Sequence, residues 1–227
     1  MAHIEVALGA ARTVLNVGAG AGSYEPLDRK VVPVEPSAAM RAQRPPQLSL
    51  PIDAVAEALP FADDYFDASM ATFTVHQWTD LEAGLQEMRR VTRGPVLVLT
   101  CDPTLVQQFW LNSYAPAVLA AEVRRYPALD RIRLCLGGTT SAVRVSIPFD
   151  CTDGFNEAYY GRPEKLLDDG ARLACSAWSL VPSEICDRYV DHLRRDLRDG
   201  TWDARYGYLR RTREYDGSLR LVVAPGS

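Results

Sequence analysis

Lysine is almost missing from this chain: Lys30 and Lys165 are the only two, so a catalytic lysine has few candidates. Arginine carries most of the positive charge, and with 25 basic against 29 acidic residues the formal net charge is −4. No nucleic-acid partner is expected from that balance, because phosphate backbones are bound by basic patches. The late arginines Arg188, Arg194, Arg195 and Arg198 alternate with Asp187, Asp191, Asp196 and Asp199, which reads as a solvated helix laced with ion pairs. The cysteines are equally unsuited to joint chemistry. Cys101, Cys135, Cys151, Cys175 and Cys186 are odd in number, scattered, and never spaced C-x-x-C. That pattern argues against a disulfide framework or a bound metal and predicts small buried hydrophobes. No apolar run is long enough to span a bilayer, and none follows a charged segment as in a signal peptide. The expectation is a cytoplasmic protein without a membrane partner. At 227 residues, one sizeable domain with a full core is expected.

What the chain does have is a glycine-rich turn. Thr13-Val14-Leu15-Asn16-Val17 is a short apolar strand that runs into Gly18-Ala19-Gly20-Ala21-Gly22, and a second apolar run, Val31-Val32-Pro33-Val34, ends on Glu35. Glycines let backbone approach a ligand closely, since no Cβ intervenes. A carboxylate at the tip of the neighbouring strand can accept hydrogen bonds from a ribose diol. The spacing is G-x-G-x-G, and Ser23 stands where a dinucleotide fingerprint would place its third glycine, so a pyrophosphate is not the expected ligand. Pro26 predicts that any helix after the turn is short or interrupted.

The rest of the first half alternates strands and helices. Ser37 is expected to cap a short helix through Met40, ended by Pro45-Pro46. Leu48–Ile52 reads as a weak third strand and Phe66–Phe73 as a buried fourth. Thr79-Asp80-Leu81-Glu82 reads as a capping box opening a helix with Leu81, Leu85, Met88 and Val91 on one face. Val96-Leu97-Val98-Leu99 is the fifth strand. Such near-continuous apolar runs imply a parallel sheet covered on both faces, with the ligand at the carboxyl ends of its strands. After Cys101 the alternation lapses: 103–136 looks helical and aromatic, 141–148 alternates like a half-buried strand, and 149–181 is irregular. A helix from Ser183 to about Arg198 and a last strand, Leu219–Val223, complete the chain.

Taken together, V-L-N-V-G-A-G-A-G-S-Y-E, V-V-P-V-E-P-S-A-A-M, A-E-A-L-P-F-A-D-D-Y-F-D and V-H-Q-W resemble the small-molecule methyltransferases of the ubiquinone/menaquinone-biosynthesis type, a branch of the class I enzymes that use S-adenosylmethionine (SAM). The late G-T-W-D-A-R-Y-G-Y-L-R resembles the tail of one bacterial branch of that family. The resemblance implies an α/β, Rossmann-like sheet of seven mostly parallel strands with helices on both faces and a helical lid inserted after strand 5. It implies a single domain over 1–227, its core at about 1–102, 141–148 and 182–227 and its lid segments at about 103–140 and 149–181. Three positions depart from the family pattern: Asn16 stands for the usual acid, Val55 for an adenine-contacting Asp, and Gln77 for the second His of H-H-W.

Carried over residue by residue, Gly18, Ala19 and Gly20 would approach the methionine part of SAM beside Asn16, with Tyr24 closing over it. Glu35 would take the ribose, Pro36 and Met40 would flank the adenine, and Ala56 and Glu57 would meet its polar edge. Thr72 and Val75 would line the passage to the methyl group. Transfer from a sulfonium to a small-molecule acceptor needs a base only where the acceptor must lose a proton, and His76 is the candidate. Trp78, Phe109, Tyr114, Asp153, Asn156 and Tyr160 are candidate acceptor contacts for an apolar or ring-bearing metabolite methylated at O, N or C. Non-methylating chemistry on the same scaffold and a non-catalytic binding module are the rival readings.

Overall fold

The structure is a computed structural model and describes residues 2–226. The chain divides into two compact units: residues 1–100, 127–144 and 220–227 form the first, and 101–126 and 145–219 the second. None of the helices among the described residues is long and apolar enough to cross a membrane.

The first unit is built on a sheet. Helix α1 (Ala2–Leu8) precedes β1 (Thr13–Val17), β2 (Lys30–Val34) and the short α2 (Ala38–Arg41). Strand β3 (Ala68–Thr72), helix α3 (Leu81–Arg90) and strand β4 (Val96–Cys101) follow. After α4 (Pro103–Val106) and α5 (Pro116–Arg125), α6 (Leu129–Leu136) and β5 (Ser141–Arg144) return to this unit. The chain then runs through β6 (Ile147–Pro148), α7 (Asp169–Ala174), α8 (Ser183–Asp199), α9 (Thr201–Tyr206) and β7 (Glu214–Tyr215) to β8 (Leu219–Ala224). The sheet has six strands in the order β2-β1-β3-β4-β8-β5, with the β2–β1–β3–β4 pairings parallel and β5–β8 antiparallel.

Burial explains the sequence of the central strands. All six residues of β4 are buried, as are four of the five in β1 and in β3, as suits strands covered on both faces; Asn16, Ser69 and Thr100 are the buried polar side chains among them. Leu81, Leu85 and Met88 of α3, with Val91 just beyond it, pack into a core that includes Leu15, Val17, Val98, Ile132 and Val222. The cap of α3 is Asp80, whose carboxylate accepts from the N–H groups of Glu82 and Ala83, and not the expected Thr79. One residue later, Asp places a charged acceptor on the same orphan donors.

Two expected strands change. Leu48–Ile52 does not form a strand and keeps one parallel bridge, Ile52 to Val34, so the sheet has six strands where seven were expected. Pro51 has no N–H for a ladder, and the Ser49 carbonyl accepts from Arg44. Residues 141–148 split into β5, paired with β8, and β6, paired with β7 in a separate two-stranded sheet. All four side chains of β5 are exposed, as suits an edge strand, where a half-buried one was expected.

The second unit packs around its own aromatics. Trp110 donates from Nε1 to the Tyr160 carbonyl at 2.9 Å and meets Trp202 edge to face at 5.4 Å, while Tyr160 stacks on Tyr215 at 5.0 Å. The charged helix is α8, and its Asp196 accepts from the Tyr114 hydroxyl at 2.8 Å.

Asp67 fixes the entry to β1. Its carboxylate accepts from the N–H groups of Arg12 and Thr13 at 2.9 and 2.8 Å, from the Thr13 hydroxyl at 3.0 Å, and from Arg93. The Thr13 N–H, with Arg93 next, holds the Asp67 carboxyl well below the usual carboxylate range. A depressed folded-state pKa stabilises above the unfolded pKa, and that stability is lost as pH falls through the folded value. Asp67→Asn is therefore expected to melt a few degrees below wild type at pH 7. In thermal melts across pH, the gap should narrow progressively below about pH 4.

Candidate functional site

Strand register gathers the glycine turn and its neighbours on one edge. Val17 lies opposite Val34, Asn16 opposite Met70, and Thr72 opposite Leu99, so β1, β2, β3 and β4 end side by side. The chain beyond β1 is Gly18–Gly22, beyond β2 Glu35–Ser37, and beyond β3 Phe73–Gln77. Ala19 N–H donates to the Val34 carbonyl at 2.9 Å, tying the turn to the neighbouring strand.

The glycines are required by both backbone and space. Gly18, Gly20 and Gly22 have φ of 66°, 52° and 90°, in the left-handed region that L side chains avoid. A Cβ on Gly18 would lie 2.0 Å from Oγ1 of Thr74, and one on Gly22 would lie 2.4 Å from Cδ1 of Leu48 and 3.0 Å from Nη1 of Arg44. The facing turn is itself unusual. Phe73 has φ of 53°, rare for a bulky residue, while its N–H still donates to the Leu99 carbonyl at 2.9 Å. That conformation turns the chain sharply out of β3 and sets Thr74 against Gly18. The Phe73 ring lies 5.8 Å from that of Tyr24.

Glu35 is 7% exposed and already organises backbone around it. Its Oε2 accepts from Gly20 N–H at 2.8 Å and its Oε1 from Ser37 N–H at 2.8 Å. Each oxygen keeps acceptor capacity for a further donor. Pro36 and Met40 are exposed beside it, and Ser37 caps α2 as expected. Ala56 is buried. The Glu57 carboxylate instead accepts from the N–H groups of Thr79 and Asp80 at 2.8 and 3.1 Å, holding the start of α3. Thr72 ends β3, Val75 is buried, and His76 sits partly exposed in the 3₁₀ turn Val75–Gln77. The Trp78 ring lies against Gly84 of α3, where a Cβ would come within 2.5 Å of it.

The sequence reading missed Glu25 and Arg44. Their carboxylate and guanidinium pair at 2.8 Å, with side chains 2% and 4% exposed. Glu25 Oε1 also accepts from Asn16 Nδ2 at 3.0 Å, and Arg44 donates to the carbonyls of Gly20 and Ser49, each at 3.2 Å. No helix forms between β1 and β2, so this pair braces the turn in its place. Asn16 is 1% exposed, and its Oδ1 has no hydrogen-bond partner. A buried acceptor left unpaired costs about 1–3 kcal/mol, which is recovered if a ligand supplies the donor.

In the second unit, Phe109, Tyr114 and Tyr160 are at most 2% exposed and belong to its core. The Tyr160 hydroxyl donates to the Thr212 carbonyl at 2.8 Å. Asp153 accepts from the Cys151 thiol at 3.7 Å. Asn156 lies in a polar cluster: its Nδ2 donates to Glu122 at 2.9 Å and its Oδ1 accepts from Trp178 Nε1 at 2.8 Å. Desolvation, with the charge of Glu157 next, pushes the Glu122 carboxyl up to about 8. Glu157 accepts from the N–H and hydroxyl of Ser218.

A glycine turn at the carboxyl end of β1, with a carboxylate at the tip of β2, defines the nucleoside-binding half of a Rossmann-like domain. The residues present fit SAM: the turn leaves backbone accessible at Gly18 and Gly20, Glu35 retains acceptors for a diol, and Asn16 Oδ1 lacks the donor that an ammonium group provides. Comparison with known proteins agrees. Residues 15–98 match the Methyltransferase domain family. The fold matches that of an Anabaena variabilis protein described as a methyltransferase of an antibiotic biosynthesis pathway, with TM-score 0.86 and 29% identity over 95% of this chain and 91% of that one. An Archaeoglobus fulgidus SAM-dependent methyltransferase shares the fold at TM-score 0.57 and 12% identity, covering 99% of this chain and 90% of that one. Among curated relatives, the ubiquinone/menaquinone biosynthesis C-methyltransferase UbiE of Stenotrophomonas maltophilia is 33% identical over 36% of this chain and 41% of its own length. The chain thus spans about two fifths of the curated relatives it matches. Over residues 15–98 the chain is similar to the class I, SAM-dependent methyltransferases, and among them to the UbiE type.

The Gly18–Thr74 contact gives a direct test. Gly18→Ala places a methyl group on Thr74 at a positive φ, so calorimetry is expected to show at least about tenfold weaker binding of S-adenosylhomocysteine (SAH). Retention of wild-type affinity would contradict the close packing of the two turns.

Proposed function

We propose that this protein transfers the methyl group of SAM to a small metabolite, apolar or ring-bearing, at O, N or C. One observation carries the reading: Glu35, at the tip of β2, holds the N–H of Gly20 and so locks the ribose-binding carboxylate to the glycine turn. Bound SAM supplies an activated electrophile, a methyl group on a sulfonium, so the chain's task is positioning and exclusion of water.

The residues divide that task. Glu35 accepts from the ribose hydroxyls, and Gly18, Ala19 and Gly20 lie along the methionine part. Pro36, Met40 and Ala56 flank the adenine, with Glu57 fixing the turn beside it. Thr72 and Val75 line the way to the methyl group, with Tyr24 and Phe73 as its aromatic wall. His76 takes the proton where the acceptor must lose one. Support for a ring-bearing acceptor comes from the aromatic composition of 109–160. Phe109, Trp110, Tyr114 and Tyr160 are buried in the second unit, and the Asn156 amide is bonded at both ends, so that support is compositional. A small-molecule partner, rather than nucleic acid, and a cytoplasmic location are supported by the net charge of −4 and the absence of an apolar spanning segment in the sequence.

Calorimetric titration of SAM and SAH should give binding that Glu35→Ala weakens by at least about tenfold, the loss of charged hydrogen bonds to two hydroxyls. Acceptor screening by mass spectrometry should then give SAH one-to-one with a product heavier by one CH₂. SAM consumed without such a product would replace methyl transfer with another chemistry on the same scaffold.

A further inference from the structure

Asn16 stands where the family pattern has an acid, and the structure supplies a reason in its surroundings. Its amide is buried, on a residue two positions before the glycine turn begins. One side of that amide faces Glu25, whose carboxylate is held by Arg44 through both oxygens at 2.9 and 2.8 Å. A carboxylate paired in this way only accepts. It therefore demands a donor from residue 16, which Asn provides through Nδ2 and Asp could not. The same contact settles the orientation of the amide, because a flipped Asn16 would set its oxygen against the Glu25 carboxylate. Oδ1 is left as an oriented acceptor without a partner.

We propose that Glu25 and Arg44 are positioning residues of the cofactor site, fixing Asn16 so that its Oδ1 receives the α-ammonium group of bound SAM or SAH. The usual carboxylate at the end of β1 is thereby replaced by a relay, in which the Arg44-paired carboxylate of Glu25 orients a neutral amide that offers its oxygen to the cofactor. Arg44 adds a second hold by donating to the Gly20 carbonyl from the same guanidinium. Gly22 permits this, because a Cβ there would lie 3.0 Å from Nη1 of Arg44. The relay accounts for Glu25, Arg44, Asn16 and the third glycine of the turn together. It rests on the assignment of the glycine turn as the SAM site.

The test is binding of the full chain to two probes: SAH, and its deaminated counterpart in which hydrogen replaces the α-amino group. Wild type is expected to bind SAH at least about tenfold tighter than the deaminated ligand, as befits a charged hydrogen bond. Asn16→Asp sets one carboxylate against another and should lose at least about tenfold in SAH affinity. The exchange Asn16→Asp with Glu25→Gln reverses donor and acceptor while preserving total charge: the Gln amide donates to Asp, and its carbonyl accepts from Arg44. SAH affinity should return to within about threefold of wild type with the preference for the amine intact. Equal binding of both probes by wild type would overturn the proposal while leaving the cofactor site in place, and this arm needs no variant. An exchange variant that melts like wild type but binds as weakly as Asn16→Asp would also overturn it. Failure of wild type to bind either probe would remove the cofactor assignment and the proposal with it.

Discussion

The buried ion pair between Glu25 and Arg44 is the constraint on which the glycine turn at the edge of the sheet depends. A glycine turn after the first strand of a Rossmann-like sheet is ordinarily continued by a helix whose N–H groups face the ligand. Here the segment from Gly18 to Arg29 contains no helix, and side chains reinforce the few backbone bonds that shape it. A single guanidinium joins Glu25, the Gly20 carbonyl and the Ser49 carbonyl. Removing one member of a buried pair generally costs about 3–5 kcal/mol, because the other charge is left uncompensated. The same interaction explains why Leu48–Ile52 is no strand: Arg44 claims the carbonyl of Ser49, and Leu48 fills the space above Gly22.

A second consequence lies across the edge. Thr74 presses into the space that a side chain on Gly18 would occupy, and Phe73 adopts a positive φ to bring it there. Backbone in a sparsely populated region costs of order 1–3 kcal/mol and persists where its surroundings enforce it. The ladder bond from Phe73 to Leu99 and the ring contact with Tyr24 are such surroundings. The turns after β1 and β3 thus define each other's shape, and Glu35 ties the first of them to the end of β2.

Much of this was legible in the residues. Continuous apolar runs revealed β1, β2, β4 and β8, the interleaved Arg and Asp residues revealed α8, and the glycine spacing revealed the tight turn after β1 that Glu35 holds. What stayed hidden has a common cause. Glu25 and Arg44 meet through irregular chain, so neither periodicity nor spacing connects them. The cap at Asp80 instead of Thr79 and the loss of the third strand depend on which orphan group finds a partner, and tertiary contacts decide that. Residues 141–148 read as one alternating strand, yet their two halves pair with different partners. The aromatics after Cys101 were conspicuous, but composition alone could not separate rings that pack a core from rings that meet a ligand.

We propose that the glycine turn, Glu35 and the Asn16 amide form one site for SAM, with Glu25 and Arg44 setting its polarity. The decisive measurement is a crystal structure of the protein with SAH bound. The ribose hydroxyls are expected on Glu35, the α-amino nitrogen within hydrogen-bond distance of Asn16 Oδ1, and the Glu25–Arg44 pair intact. An amino group turned away from Asn16, or a ribose remote from Glu35, would overturn this arrangement.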